Sequence, residues 1–206
     1  MINEETKQIK EGERIGYTGR MIKEGIIGTL KGLNEIESEI IVFVRLTVSD
    51  ALKTSRDVAR DGVQITREVV KGAIQATEEV GTGLIFSTKS VAKGVVLGVN
   101  DIGGDILSVA NETVKTSVKE ANQIGMDVAL VARRSVDGVI EATRELGGNV
   151  GDVAKVAING ALEAAGTIGK TAVQEVKDVL LGVAEGSKEV VGTVLPKPHS
   201  TKTNDK

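Results

Sequence analysis

Apolar and small residues return every eleven positions from about Glu13 to Leu195, with no insertion or deletion along the way. Three helical turns of eleven residues give about 3.67 residues per turn, close to the α-helical value, so residues eleven apart sit nearly above one another. One column holds Val58, Val69, Val80, Val91, Ile102 and Ile124, and another holds Leu84, Val95, Ile106, Val128, Val139 and Val150. A third runs through Leu52, Val63, Ile74, Ile85, Val96, Leu107 and Val118, around a centre of small residues such as Thr66, Thr88, Ala110, Ala132 and Ala154. Together the columns cover an arc of roughly 130° on a helical wheel, an amphipathic face. Apolar spacings of three and four, not two, make this helix rather than strand despite the abundant Val.

The polar side is patterned as well. Lys23, Arg45, Arg56, Arg67, Lys89, Arg133, Arg144, Lys155, Lys177 and Lys188 fall in one column at a border of the arc, and the next column is predominantly acidic. Lys and Arg at such a border suit an interfacial helix, whose long side chains reach past the apolar face to lipid headgroups. The alternative is a charged face that simply keeps a helix in water. With 26 basic and 29 acidic residues, net charge −3, the chain is no polycation, and a nucleic-acid partner is not expected.

The expected fold class is all-α: one very long amphipathic helix, or a few long helices, built on eleven-residue repeats. No Pro occurs before Pro196, and an unbroken helix over the periodic region would be roughly 275 Å long. The rival is a bundle folded back at Gly103-Gly104 and Gly147-Gly148, where Gly pairs signal turns and Asp105 is placed to cap a following helix. A turn ordinarily shifts a repeat's register, and here the frame passes through both pairs unshifted, which favours continuity. Residues 1–12 are expected as a polar N-terminal segment, 13–195 as the helical region and 196–206 as a flexible tail.

Twenty-four of the 25 Gly lie in the periodic region, and each costs a helix interior about 0.8 to 1 kcal/mol relative to Ala. Gly28, Gly72, Gly83, Gly94, Gly138, Gly160 and Gly182 share a column on the polar side, where they weaken the helix. Gly81, Gly103, Gly125, Gly147 and Gly169 recur every 22 residues inside the arc, alternating with Val70, Ala92, Val114, Val136, Ile158 and Leu180. That alternation of large and small points to notches for a neighbouring helix, as in a coiled coil, which an eleven-residue repeat would wind right-handed.

No Cys is present and His199 is the single His, so disulfides, thiolate catalysis and imidazole chemistry are excluded, and no metal, cofactor or small-molecule site is expected. Gly166-Thr167-Ile168-Gly169-Lys170-Thr171 imitates a phosphate-binding loop, but Ala164 stands where its first Gly belongs and no strand precedes it. The polar N-terminus and short apolar runs argue against a signal peptide or a spanning helix, and a cytoplasmic location is expected.

The local motif appears as Lys23-Glu24-Gly25-Ile26, Thr66-Arg67-Glu68-Val69, Thr143-Arg144-Glu145-Leu146 and Ser187-Lys188-Glu189-Val190. It resembles the KTKEGV-type repeats of the synucleins and the Gly/Val/Thr-rich repeats of the perilipins, and LEA proteins share the period. The resemblance implies a non-enzymatic amphipathic protein that coats or stabilises a membrane, vesicle or lipid inclusion, peripheral to it. The alternative is a coiled-coil rod or filament that homo-oligomerises through its apolar face, and after it an LEA-like protectant.

Overall fold

The computed structural model describes residues 16–25, 36–80 and 87–185. All regular structure among them is helical: α1 (16–25), α2 (Ile36–Lys53), α3 (Val58–Val80), α4 (Ser87–Asn100), α5 (Ile106–Gln123), α6 (Val128–Glu145), α7 (Val150–Ile168) and α8 (Lys170–Glu185).

The single long helix is therefore corrected to a series of separate helices, and the break points are the glycines of the 22-residue beat. Gly103, Gly125 and Gly147 have φ of +70°, +70° and +68°, a left-handed conformation that glycine adopts without steric penalty. Each closes a helix in the same way. The Gly103 N–H donates to the Asn100 carbonyl at 2.9 Å and the Gly104 N–H to the Val99 carbonyl at 3.0 Å. The same pair of bonds recurs at Gly125 and Met126, and at Gly147 and Gly148, satisfying carbonyls that a helix end would leave bare.

Two residues after each turn glycine a side chain caps the next helix: Asp105 accepts from the Leu107 and Ser108 N–H groups, Asp127 from Leu130, and Asn149 from Gly151 and Asp152. Helix, left-handed glycine and cap thus fill one 22-residue unit, two periods of eleven. This explains why the register is unbroken: the turn is counted inside the repeat, so α5, α6 and α7 start on the same frame, at Ile106, Val128 and Val150. The α2–α3 connection differs, using Asp57 as the acceptor for the Arg60 N–H at 3.1 Å with no glycine in the turn.

The helices stack in two layers. In one, α2, α4, α6 and α8 lie side by side; in the other, α1, α3, α5 and α7 do, and each helix also packs on its chain neighbour in the opposite layer. Helices within a layer run the same way, since Gly94 faces Val44 and Gly98 faces Val48 across the α2–α4 seam. Among the described residues the expected right-handed coiled coil is likewise replaced by layered stacking.

The core lies between the layers and is built from the predicted arc. Of its centre, Thr66, Thr88, Ala110, Ala121, Ala132, Thr143, Ala154 and Ala165 are buried and Ser55 is half-buried. So are Val70, Ala92, Val114, Val136, Ile158 and Leu180, which sit mid-helix while the glycines between them occupy turns. Large and small alternate there because successive periods fall alternately in helix and in turn. The expected segments 1–12 and 196–206, and the last residues of the periodic region, lie outside the described residues.

Candidate functional site

Seams between helices two apart in sequence carry most of the charge chemistry. The Arg45 guanidinium is paired in a two-point bond with Asp101, both contacts at 2.7 Å, which holds Arg45 more firmly protonated than usual. Arg67 donates to Glu112 at 2.8 Å, and Glu112 also accepts from the Thr116 hydroxyl at 3.1 Å. Lys89 and Lys93 both meet Glu141, at 2.5 and 2.9 Å, and Lys93 reaches Glu145 at 2.8 Å. Hydrogen bonds from the Lys89 and Lys93 ammonium groups hold the Glu141 carboxyl below the usual range. One unit later Lys115 pairs with Glu163, lowering that carboxyl in the same way.

The basic column expected at a lipid interface is thus split by the 22-residue beat. Arg45, Arg67 and Lys89 bridge to the next helix of their layer, as does Arg133, whose guanidinium donates to the Val179 carbonyl at 3.3 Å beside Asp137. Asn111, in the same column, donates to the Val156 carbonyl at 2.8 Å. Arg56 and Arg144 are exposed at helix ends, and Lys23 lines the cleft between α1 and α3. Lys155 and Lys177 lie on α7 and α8, the last described helices of their layers, and Lys188 lies outside the described residues.

The two glycine sets exchange the roles that the wheel assigned them. Gly103, Gly125, Gly147 and Gly169 terminate helices rather than notch a packing face, and Gly81 lies outside the described residues. Packing belongs to the other column. A Cβ at Gly94 would lie 2.9 Å from the Ile41 carbonyl, at Gly138 2.3 Å from that of Lys89, at Gly160 2.6 Å from that of Asn111, and at Gly72 2.2 Å from that of Gly19. The wheel could not show this, because it knows one face per helix and these helices are covered on their flanks as well.

An open recess lies between α6 and α8, a cleft of about 680 Å³. Its floor is Met126, Val128, Ala129, Ile168, Ala172 and Val179; Asp127, Glu175 and Asp178 stand at its edge, and among the described residues neither Lys nor Arg lines it. It sits where the repeat breaks. Gly169 has φ +153° instead of about +70°, α8 begins at Lys170, and Thr171 occupies the place of the Asp or Asn cap. Sequence inspection missed the cleft, though its cause was visible as Thr171 in a column of Asp105, Asp127 and Asn149.

Neither protein-family models nor curated proteins match the chain. Among solved structures it is similar to the crystal structure of the de novo designed helical repeat protein DHR7, with a TM-score of 0.53 and 16% identity over 86% of this chain and 96% of that one. The likeness is one of fold, stacked helical repeats. It matches the layered arrangement and not a continuous rod.

Among the described residues no cluster of His, Asp or Glu has the arrangement of a metal site, and no helix is long and apolar enough to cross a membrane. The phosphate-loop imitation at Gly166–Thr171 is the end of α7 and the start of α8.

Proposed function

We propose that this chain is a non-enzymatic helical-repeat scaffold, a stack of equivalent helices whose side surfaces engage other macromolecules. The observation that carries it is where the apolar arc goes: Thr66 and Thr88, and the central column from Ala110 to Ala165, are buried between the two layers, spent on the chain itself. Repeat stacks present long side surfaces and suit binding more than chemistry. Outward apolar side chains are few; Tyr17, Met21, Val42, Leu46 and Leu107 are the large ones among the described residues.

A second reading, peripheral coating of a lipid surface, is favoured by the character of that same core. It has small side chains, and Thr66, Thr88, Thr113 and Ser135 bury hydroxyl oxygens without hydrogen-bond partners, which lowers the cost of opening the layers. An opened chain would offer its eleven-residue face to lipid.

Hydrogen exchange with and without anionic phospholipid vesicles separates the two. The scaffold reading expects α4 to α7 to exchange slowly in water and unchanged on vesicles. Fast exchange in water with protection appearing only on vesicles would replace it with the lipid coat.

A further inference from the structure

We infer that the cleft between α6 and α8 is a docking groove for a basic amphipathic helix of a partner protein. This deepens the scaffold reading and rests on it. The cleft has a volume of about 680 Å³ and runs along the first turns of α8. The floor offers Met126, Val128, Ile168 and Val179, apolar groups whose mixed lengths, Met above all, adapt to an inserted side chain. Three carboxylates, Asp127, Glu175 and Asp178, are all exposed at its edge.

Their existing bonds leave them capacity for a cation. Asp127 uses one oxygen to accept the Leu130 N–H at 2.9 Å, and Asp178 uses one to accept from the Gln174 amide at 2.7 Å. Each carboxylate has two oxygens and about four lone-pair sites. Elsewhere in the same layer a carboxylate standing between helices meets a basic partner from the chain itself, as Glu141 meets Lys89 and Lys93, and Asp101 meets Arg45. At the α6–α8 cleft no Lys or Arg among the described residues lines the walls, which leaves these carboxylates open to a basic partner.

A helix laid in such a groove inserts residues spaced three and four apart. Its occupant is then a helix with Leu or Ile on one side and Lys or Arg flanking them, the inverse of the groove's own pattern. Opposite charge speeds encounter and rejects acidic helices of the same shape.

The test uses the full chain and two fluorescein-labelled helical peptides of equal length, one of Leu and Lys and one of Leu and Glu, in fluorescence anisotropy. The Leu/Lys peptide is expected to bind and the Leu/Glu peptide not. Glu175→Gln with Asp178→Asn should weaken binding about tenfold, and addition of Asp127→Asn, which keeps a capping side chain as Asn149 does, should weaken it further. Glu37→Gln with Glu39→Gln, acidic residues on exposed positions of α2, should change nothing. Circular dichroism of each variant establishes that the helices remain. Absence of Leu/Lys binding by a chain whose exchange pattern is that of the stacked helices overturns the groove and leaves the scaffold standing. Equal binding by the cleft and α2 variants also overturns it. A wild-type chain that is unfolded without lipid overturns the scaffold and the groove together.

Discussion

Gly138 of α6 lies against the backbone of Lys89 in α4, so closely that a Cβ at position 138 would stand 2.3 Å from the Lys89 carbonyl oxygen. Gly160 stands in the same relation to Asn111 in the other layer, at 2.6 Å. Gly138→Ala and Gly160→Ala should therefore each destabilise the chain by about 1 to 3 kcal/mol through overpacking, read as a lower urea midpoint. On an isolated helix the same changes would stabilise by about 0.8 to 1 kcal/mol. The sign alone decides whether a neighbouring helix is there.

Turn glycines fail for a different reason. Nothing lies within 4 Å of a Cβ at Gly103, Gly125 or Gly147, so substitution there meets open space but keeps the positive φ. Ala at each should cost about 1 to 2 kcal/mol in thermal unfolding. Asn, which visits the left-handed region more readily, should recover part of that loss. Recovery by Asn at Gly103 but none at Gly138 would separate conformational strain from steric overlap.

Acid and base titrations bear on single carboxylates. Burial raises the Glu120 carboxyl above its usual value, with Lys71 opposing and Glu68 adding to the rise. A carboxyl raised on folding favours the folded state below its unfolded value, near 4.5, and gives up that contribution as pH climbs through the raised one. Glu120→Gln should accordingly raise the melting temperature at pH 7 and lose that advantage at pH 4. Glu141 has the opposite sign: its contribution is present at neutral pH and disappears as pH falls through its lowered value, so Glu141→Gln should lower the melting temperature at pH 7, by an amount that shrinks as the pH is lowered below the usual carboxylate range.

Buried hydroxyls without partners weaken the core. Thr113 and Ser135 are fully buried, and neither oxygen has a hydrogen bond. Thr113→Val and Ser135→Ala remove that desolvation cost and should each stabilise by about 1 kcal/mol in urea denaturation.

Sequence periodicity conveyed the local facts well. Helix rather than strand, the arc that becomes the core, and the burial of Ala110, Ala132 and Ala154 at its centre all follow from spacing within one turn or two. What it concealed were relations between helices. Lys93 and Glu141 are 48 residues apart, as are Lys115 and Glu163, and a wheel of eleven positions places all four on a polar side without showing that they meet. The unbroken register was the misleading feature. Continuity of the frame through Gly103-Gly104 suggested continuity of the helix, whereas a turn of fixed length, repeated every 22 residues, preserves the frame equally well. Positive φ at Gly103, Gly125 and Gly147 is what distinguishes the two, and it is a backbone property that composition does not carry. Asp105, Asp127 and Asn149 were the legible sign, three cap-forming residues on the same beat as the glycines.

Small-angle X-ray scattering of the full chain in dilute buffer tests most directly whether the eleven-residue period is folded back on itself. A chain of 206 residues whose helices α1 to α8 are stacked should give a radius of gyration of roughly 20 Å, somewhat above the roughly 17 Å of a sphere-like globule of that length. A value near 80 Å, with the scattering profile of a thin rod, is what one helix of about 275 Å would give, and it would contradict the layered fold.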